Sequence, residues 1–348
     1  MSGKKRTKIG NIHIGNGEKI AVQSMLNCRY DDVKGNIEQS IRLEESGCDI
    51  NRVAVPNEEA LILIKEIKSH TSMPLVADIH FDYRLAIKSV EAGADKIRIN
   101  PGNIGGMDKV KAVVDCCRER NIPIRVGVNS GSLEKDIVKR DGGFTAKGLF
   151  DSAMRSVSVI ENSGYDNIVV SMKSSDVKMM IDAYRLAEKS CIYPLHLGVT
   201  ESGTMSIGTI KSAIGLGALL ADDIGDTIRV SLTGDPVDEV RVAKEILSAL
   251  KLTNGINLIS CPTCGRTSID LIEIAEKVEK AVSKMKTSKN ITVAVMGCAV
   301  NGPGEAREAD VGIAGGLDDA VLFKKGEIIG KLKGDIAEAL ISEIREML

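Results

Sequence analysis

The stretch LVADIHFDYRLAIKSVEAGADKIRIN, residues 75–100, decides the fold. It opens on an apolar run (75–80), continues into a segment with apolar residues at helical spacing (82–91), and closes on a second short run (96–100). That is one strand–helix–strand unit, and the alternation repeats from about residue 21 to residue 247. Further strands are expected at 21–25, 50–55, 124–129, 167–172, 195–200 and 227–233, with helices such as 57–68, 109–120 and 176–187 among them. Eight such units in roughly 230 residues predict a (β/α)8 TIM-type barrel, an α/β fold. No glycine-rich dinucleotide fingerprint follows the first strand, which argues against a doubly wound sheet. Ahead of the barrel, residues 9–14, Asn16-Gly17 and 19–22 read as a hairpin closing the floor.

Beyond a short polar linker at 251–255 the pattern changes to strand 256–259, helix 268–285, strands 291–296 and 311–314, hairpin 320–332 and helix 334–348. A barrel domain over 1–250 and a smaller α+β domain over 251–348 are therefore expected. A chain of 348 residues that is 43% hydrophobic can bury a substantial core. Its net charge of -2, its 3% aromatic content and the lack of a Lys/Arg-rich block argue against a nucleic-acid partner. No apolar run is long enough to span a bilayer, and the start, MSGKKRTKIG, lacks a signal-peptide core. A cytoplasmic location is expected, so the eight cysteines read as ligands or free thiols rather than disulfides.

Chemistry-bearing residues gather toward the C-terminal ends of the expected strands, where barrel enzymes hold their substrates. Arg52 lies on the second strand, Asp78 and His80 on the third, Arg98 and Asn100 on the fourth, and Arg125 and Asn129 on the fifth. Lys173 follows the sixth, His196, Thr200 and Glu201 mark the seventh, and Arg229, Ser231 and Thr233 the eighth. The i, i+2 spacing within Asp78/His80, Arg98/Asn100 and Arg229/Ser231 puts each set on one strand face, expected to be the interior. Arg52, Arg98, Arg125, Lys173 and Arg229 would converge there, which calls for an anion of comparable charge, with two phosphate groups the natural match. A barrel ion-pair network built on Asp78 is the plainer alternative. Glu201 is a candidate proton donor or acceptor, or else a cap on the helix starting near Ser206. His80 and His196 suit either a catalytic role or a hydrogen-bonded place in the upper core.

In the second domain, Cys261-Pro-Thr-Cys264-Gly-Arg is followed, after another apolar run, by Cys298-Ala-Val-Asn-Gly-Pro-Gly-Glu305. Cys-x-x-Cys alone is shared by zinc sites, redox dithiols and iron–sulfur clusters. Zinc would want a fourth good ligand, and no histidine lies near Cys298; a dithiol would leave Cys298 without purpose. Three cysteines and one weaker ligand favour an iron–sulfur cluster with one exchangeable iron. Glu305 is the candidate fourth ligand, with Asn301 or water as substitutes. Cys28, Cys48, Cys116, Cys117 and Cys191 are expected to be free thiols.

These motifs, with Val128-Asn-Ser-Gly-Ser-Leu-Glu-Lys135, His196-Leu-Gly-Val-Thr-Glu201 and Gly225-Asp-Thr-Ile-Arg-Val-Ser231, span nearly the whole chain. On them the sequence resembles the 4-hydroxy-3-methylbut-2-enyl diphosphate synthases, in the short bacterial form. The resemblance implies a [4Fe-4S] cluster held by Cys261, Cys264, Cys298 and Glu305. It implies 2-C-methyl-D-erythritol 2,4-cyclodiphosphate in the barrel, against Arg52, Arg98, Asn100, Arg125, Asn129, Lys173, Arg229 and Ser231. Asp78, His80 and Thr200 join that set as mouth residues. It further implies two-electron reduction with ring opening and loss of water, reduced flavodoxin or ferredoxin as donor, and a homodimer. One departure stands out: after Ala21-Val-Gln-Ser-Met25 the family usually carries a run of hydroxyl residues, where this chain has Leu26-Asn-Cys28-Arg-Tyr30. Cys28 could there be a thiol near the mouth.

Overall fold

The computed structural model describes residues 3–285, 287–298, 306–316 and 319–348, and the chain divides into two compact units, Met1–Ile246 and Leu247–Leu348. In the first unit eight parallel strands follow one another around a ring: Ala21–Val22, Asn51–Ala54, Leu75–Asp78, Lys96–Ile99, Ile124–Asn129, Ile168–Lys173, His196–Leu197 and Thr227–Ile228. They are called the first to eighth barrel strands below. The second to sixth form one continuous sheet, and the seventh, eighth and first form another. Parallel bridges Gln23↔Ile50 and Val170↔Leu195 join the two and close the barrel. After each strand comes an outer helix: Val33–Glu45, Ile62–His70, Tyr83–Glu91, Met107–Glu119, Ala146–Asn162, Val177–Glu188, Met205–Leu220 and Pro236–Ala249. Short polar side chains start several of them, as where Asp176 accepts from the Met179 N–H at 2.9 Å and Thr145 from the Gly148 N–H at 2.9 Å.

Three strands are shorter than the sequence pattern suggests, those expected at 21–25, 195–200 and 227–233. Extended contact continues past their ends without a regular ladder, through Gln23 N to Ile228 O (2.9 Å), Leu26 N to Arg52 O (2.9 Å) and Arg229 N to Leu197 O (3.0 Å). The hairpin is also placed differently. It pairs Thr7–Ile9 with Ile12–Ile14 across Gly10-Asn11, not across Asn16-Gly17. Gly10, at φ +55°, supplies the left-handed conformation a two-residue turn needs, while Asn16 and Gly17 turn the chain toward the first barrel strand. The hairpin's Ile9 and Ile14 pack with Ala21, Ile50, Val76 and Val169 and so plug the N-terminal end of the barrel.

The second unit is a five-stranded sheet in the order Gly255–Ser260, Asn290–Met296, Val311–Gly315, Ala320–Lys324, Glu327–Leu332, parallel over the first three strands and antiparallel over the rest. Helices Leu271–Val282 and Ile336–Met347 cover one face, burying Val278, Leu340 and Ile344 against Val293, Val295 and Ile313. Among the described residues no helix is long and apolar enough to cross a membrane.

Ile14 is fully buried in the floor plug. Ile14→Ala is expected to destabilise the barrel by about 2–5 kcal/mol, read from its denaturant unfolding transition; a shift below about 1 kcal/mol would show that the plug is not part of the core.

Candidate active site

Strand register fixes which side chains enter the barrel. Paired residues share a face, so Arg52 opposite Val76, Val76 opposite Lys96, Asp78 opposite Arg98, Arg98 opposite Arg125 and Asn129 opposite Lys173 all follow Val76 of the floor plug inward. On the other arc Ala21, Thr227 and His196 are in register and share that interior side. Above an apolar floor the interior is therefore polar and cationic.

Asp78 organises the chamber. Its carboxylate accepts from Arg52 Nη2 at 2.6 Å and Arg98 Nη1 at 3.2 Å, and His80 Nε2 lies 3.3 Å away. Burial pushes the Asp78 pKa up, but Arg52, the His80 hydrogen bond, Arg98 and Arg125 outweigh it and hold the carboxyl well below the usual range. Arg229 pairs with Glu239 at 3.3 Å. Arg125, Lys96 and Lys173 have no comparable carboxylate among the described residues, although Arg125 and Lys96 are essentially inaccessible. Burial first, then neighbouring cations, drives all three pKa values well below their ordinary positions: Arg52 and Arg98 act on Arg125, Arg125 and Arg52 on Lys96, and Arg229 and Arg125 on Lys173.

Several interior donors also lack a hydrogen-bond partner among the described residues: Arg125 Nε and Nη1, Lys96 Nζ, the Gln23 amide and His196 Nε2. His196 Nδ1 meets Thr227 Oγ1 at 2.6 Å, so that ring is anchored on one side only. Two glycines make the crowding feasible. A Cβ on Gly127 would stand 2.5 Å from Arg98 Nε, and one on Gly198 would stand 2.9 Å from Lys173 Nζ. A buried, donor-rich chamber with surplus positive charge suits a ligand bearing several acceptor oxygens and more than one negative charge.

Not every expected residue enters this chamber. The His80 side chain is half exposed at 54%. Asn100 is buried, but its Oδ1 accepts from the Gly102 N–H at 3.1 Å and caps the short helix Pro101–Ile104. Asn129, Thr200 and Ser231 are half-buried, and Ser231 O accepts from Ser202 Oγ. Glu201 is exposed, with φ +52°; the helix expected near Ser206 begins at Met205 with Thr204, not Glu201, at its N-cap position. Cys28 is half-buried, its thiol pushed up by burial and by Asp32. Lys96, Glu239 and Gln23 were missed. Lys96 was legible, standing two residues before Arg98 on the same inward face; Glu239 lies on a helix, where no strand periodicity points to it.

In the second unit, parallel register sets Ser260 opposite Val295, so the loops after both strands emerge side by side. Gly297 N donates to Cys261 Sγ at 3.1 Å, and Ser268 N donates to Gly297 O at 3.0 Å, tying the two cysteine-bearing segments together. Cys264 is exposed, and its thiol is lowered by the backbone of Arg266 first and by that residue's side chain and Thr267 after it. Cys298 is half-buried. Among the described residues no three His, Cys, Asp or Glu side chains form a metal-ligand group. Glu305 and Asn301 lie outside the described residues.

Residues 4–244 match the family model of the GcpE TIM-barrel domain and residues 257–346 that of the GcpE protein C-terminal domain. A protein of Caldanaerobacter subterraneus subsp. tengcongensis is 58% identical over 99% of this chain and 97% of its own length. One of Ruminiclostridium cellulolyticum is 56% identical over 99% and 97%. Both bear the name 4-hydroxy-3-methylbut-2-en-1-yl diphosphate synthase (flavodoxin). Among solved structures, dihydropteroate synthases of Xanthomonas albilineans (TM-score 0.52, 18% identity) and Yersinia pestis (TM-score 0.52, 13%) each cover 71% of this chain and 98% of their own. That likeness is one of barrel fold.

Removing the uncompensated Arg125 should stabilise the free protein and destroy its affinity for anions. Arg125→Met is expected to raise the thermal midpoint, by about 1–4 kcal/mol in stability, and to abolish the further rise that pyrophosphate gives the wild type; a lower midpoint would mean that Arg125 is compensated. His196 sets a pH test. Burial, then Arg125 and Lys173, hold its pKa well below the ordinary value, so the unfolded chain binds a proton the folded one refuses once pH falls below about 6.5. Asp226, raised to about 6 chiefly by burial, works in the opposite sense over the same range. The stability difference between wild type and His196→Gln isolates the histidine, and it should move against the wild type from pH 7 to pH 5 in denaturant titrations; a constant difference would contradict it.

Proposed function

The chain belongs to the GcpE family, and from that premise we propose that it is the enzyme that converts 2-C-methyl-D-erythritol 2,4-cyclodiphosphate to 4-hydroxy-3-methylbut-2-enyl diphosphate. Two electrons enter from reduced flavodoxin or ferredoxin, a ring C–O bond to phosphate breaks, and a hydroxyl leaves as water. The single observation carrying the substrate assignment is the barrel interior, where, among the described residues, Arg125, Lys96 and Lys173 lack carboxylate partners while Asp78 and Glu239 serve the rest. A cyclic diphosphate offers the charge and the acceptor oxygens that this arrangement needs.

In this reading residues 1–250 bind substrate and residues 251–348 carry a [4Fe-4S] cluster on Cys261, Cys264, Cys298 and Glu305. The donor set supports the cluster: thiolates are the ligands iron–sulfur groups take, and the Gly297 N–H aimed at Cys261 Sγ is the kind of hydrogen bond that stabilises a thiolate. When bound, the cluster supplies electrons one at a time and one iron whose non-cysteine ligand can be replaced. The barrel's own side chains do the remaining work. Arg52 and Arg98, fixed by Asp78, with Arg125, Lys173 and Arg229, hold the diphosphate and stabilise the charge that grows on the phosphate oxygen as the ring opens. Asn100, Asn129, Thr200, Ser231 and His80 complete the rim, and Glu201 delivers the proton that turns the departing hydroxyl into water. A cytoplasmic homodimer belongs to the same proposal. The unpaired thiols of Cys28, Cys48, Cys116, Cys117 and Cys191 support a reducing compartment.

Anaerobic purification should yield a brown protein with roughly four iron and four sulfide per chain, active on the cyclodiphosphate with a strong reductant; a colourless, zinc-loaded protein would overturn the reading. Glu201→Gln should keep the absorbance and lose at least about a hundredfold in turnover, and unchanged turnover would remove Glu201 from the proton step.

A further inference from the structure

Glu239, so far only the ion-pair partner of Arg229, is 4% exposed at the edge of the cationic chamber. It lies in the first turn of helix Pro236–Ala249, and its carboxylate gathers donors from three places in the chain. Ser24 Oγ, just past the first barrel strand, donates to Oε2 at 2.8 Å. Leu232 N, beyond the eighth strand, donates to Oε1 at 3.1 Å. Arg229 reaches both oxygens, Nη2 to Oε1 at 3.3 Å and Nε to Oε2 at 3.4 Å.

The backbone explains why a side chain is needed there. Regular pairing between the first and eighth strands covers only Ala21 with Thr227 and Val22 with Ile228, and then stops. Arg229 is the next residue: its N–H still reaches Leu197 O of the seventh strand at 3.0 Å, but it lies past the regular pairing with the first strand. Its Nη1 meets only a weak acceptor among the described residues, Met25 Sδ at 3.6 Å. Burial lowers the Arg229 pKa and Glu239 is the largest influence opposing it, with Arg52 adding repulsion across the chamber.

We propose that Glu239 is a positioning residue for the reaction: it gathers the first and eighth strands at the mouth and clamps the Nε–Nη2 edge of Arg229, so that this arginine meets the diphosphate in a fixed orientation. The proposal rests on the assignment of Arg229 to the diphosphate. It separates two kinds of interior arginine. Arg125 brings uncompensated charge to the ligand, whereas Arg229, neutralised by Glu239, brings hydrogen-bond geometry.

Binding of inorganic pyrophosphate, followed by calorimetry, gives a readout independent of turnover, and steady-state kinetics on the cyclodiphosphate gives the second. Wild type binding pyrophosphate without turning over the cyclodiphosphate would defeat the functional reading and leave the clamp to be judged on binding alone; wild type that does not bind would defeat both. Glu239→Gln is expected to weaken pyrophosphate binding at least tenfold and to raise KM more than it lowers kcat. Glu239→Asp, which keeps the charge on a shorter arm, should fall between, and it serves if the Gln variant does not fold. Ser24→Ala removes one of the carboxylate's donors and should weaken pyrophosphate binding in the same direction as Glu239→Gln but by less. The decisive arm is the cycle with Arg229→Lys: in the double variant the loss should be no greater than in Arg229→Lys alone, because Glu239 acts through Arg229. Additive losses, or an unaltered affinity in Glu239→Gln, would overturn the clamp.

Discussion

The chamber depends on one carboxylate shared among cations. Asp78 stands 2.6 Å from Arg52 and 3.2 Å from Arg98, and it is the group that lets two arginines from the strands on either side of its own lie buried together. Breaking such an arrangement from one side leaves a bare buried charge, which is why a lone partner in this position costs more to lose than a surface ion pair would. The rest of the chamber has been built around a deficit rather than a balance. Among the described residues Arg125 and Lys96 are buried with unpartnered donors, a state that water or an anion relieves.

Tolerance of that deficit is distributed through the fold. Below the cations lies the plug of Ile9, Ile14, Ala21, Ile50, Val76 and Val169, whose burial opposes the electrostatic strain a layer above. Gly127 and Gly198 give up side chains where Arg98 and Lys173 need the space. Asp78 and Glu239 each neutralise part of the charge without cancelling it, so the free protein folds and the ligand still finds a positive interior.

Much of this was legible in the sequence because strand periodicity is strict. Arg98 and Asp78 sit on inward positions that a two-residue repeat identifies, and the same repeat would have included Lys96, two residues before Arg98. The eight-unit alternation likewise led to the barrel. Periodicity fails where the chain leaves the ladder. Asn100 turns its amide to the helix it caps, His80 tips outward past the end of the third strand, and the hairpin takes Gly10-Asn11 for its turn because the pairing of Ile9 with Ile12 is set by what the floor must bury. Glu239 was invisible for a different reason. Its partners Ser24 and Arg229 stand 215 and 10 residues away, and only closure of the ring brings the first and eighth strands together.

Parallel pairing does the same work in the second unit. Parallel strands cannot be joined by a tight turn, so their carboxyl ends collect residues far apart in the chain, and each such end offers loop N–H groups that no ladder has claimed. Gly297 N spends its hydrogen bond on Cys261 Sγ, 36 residues earlier, because the strands ending at Ser260 and Met296 are neighbours in register. The sulfur's position thus follows from sheet geometry. A sulfur held by a backbone donor at a strand end keeps its orientation without a dedicated side-chain partner.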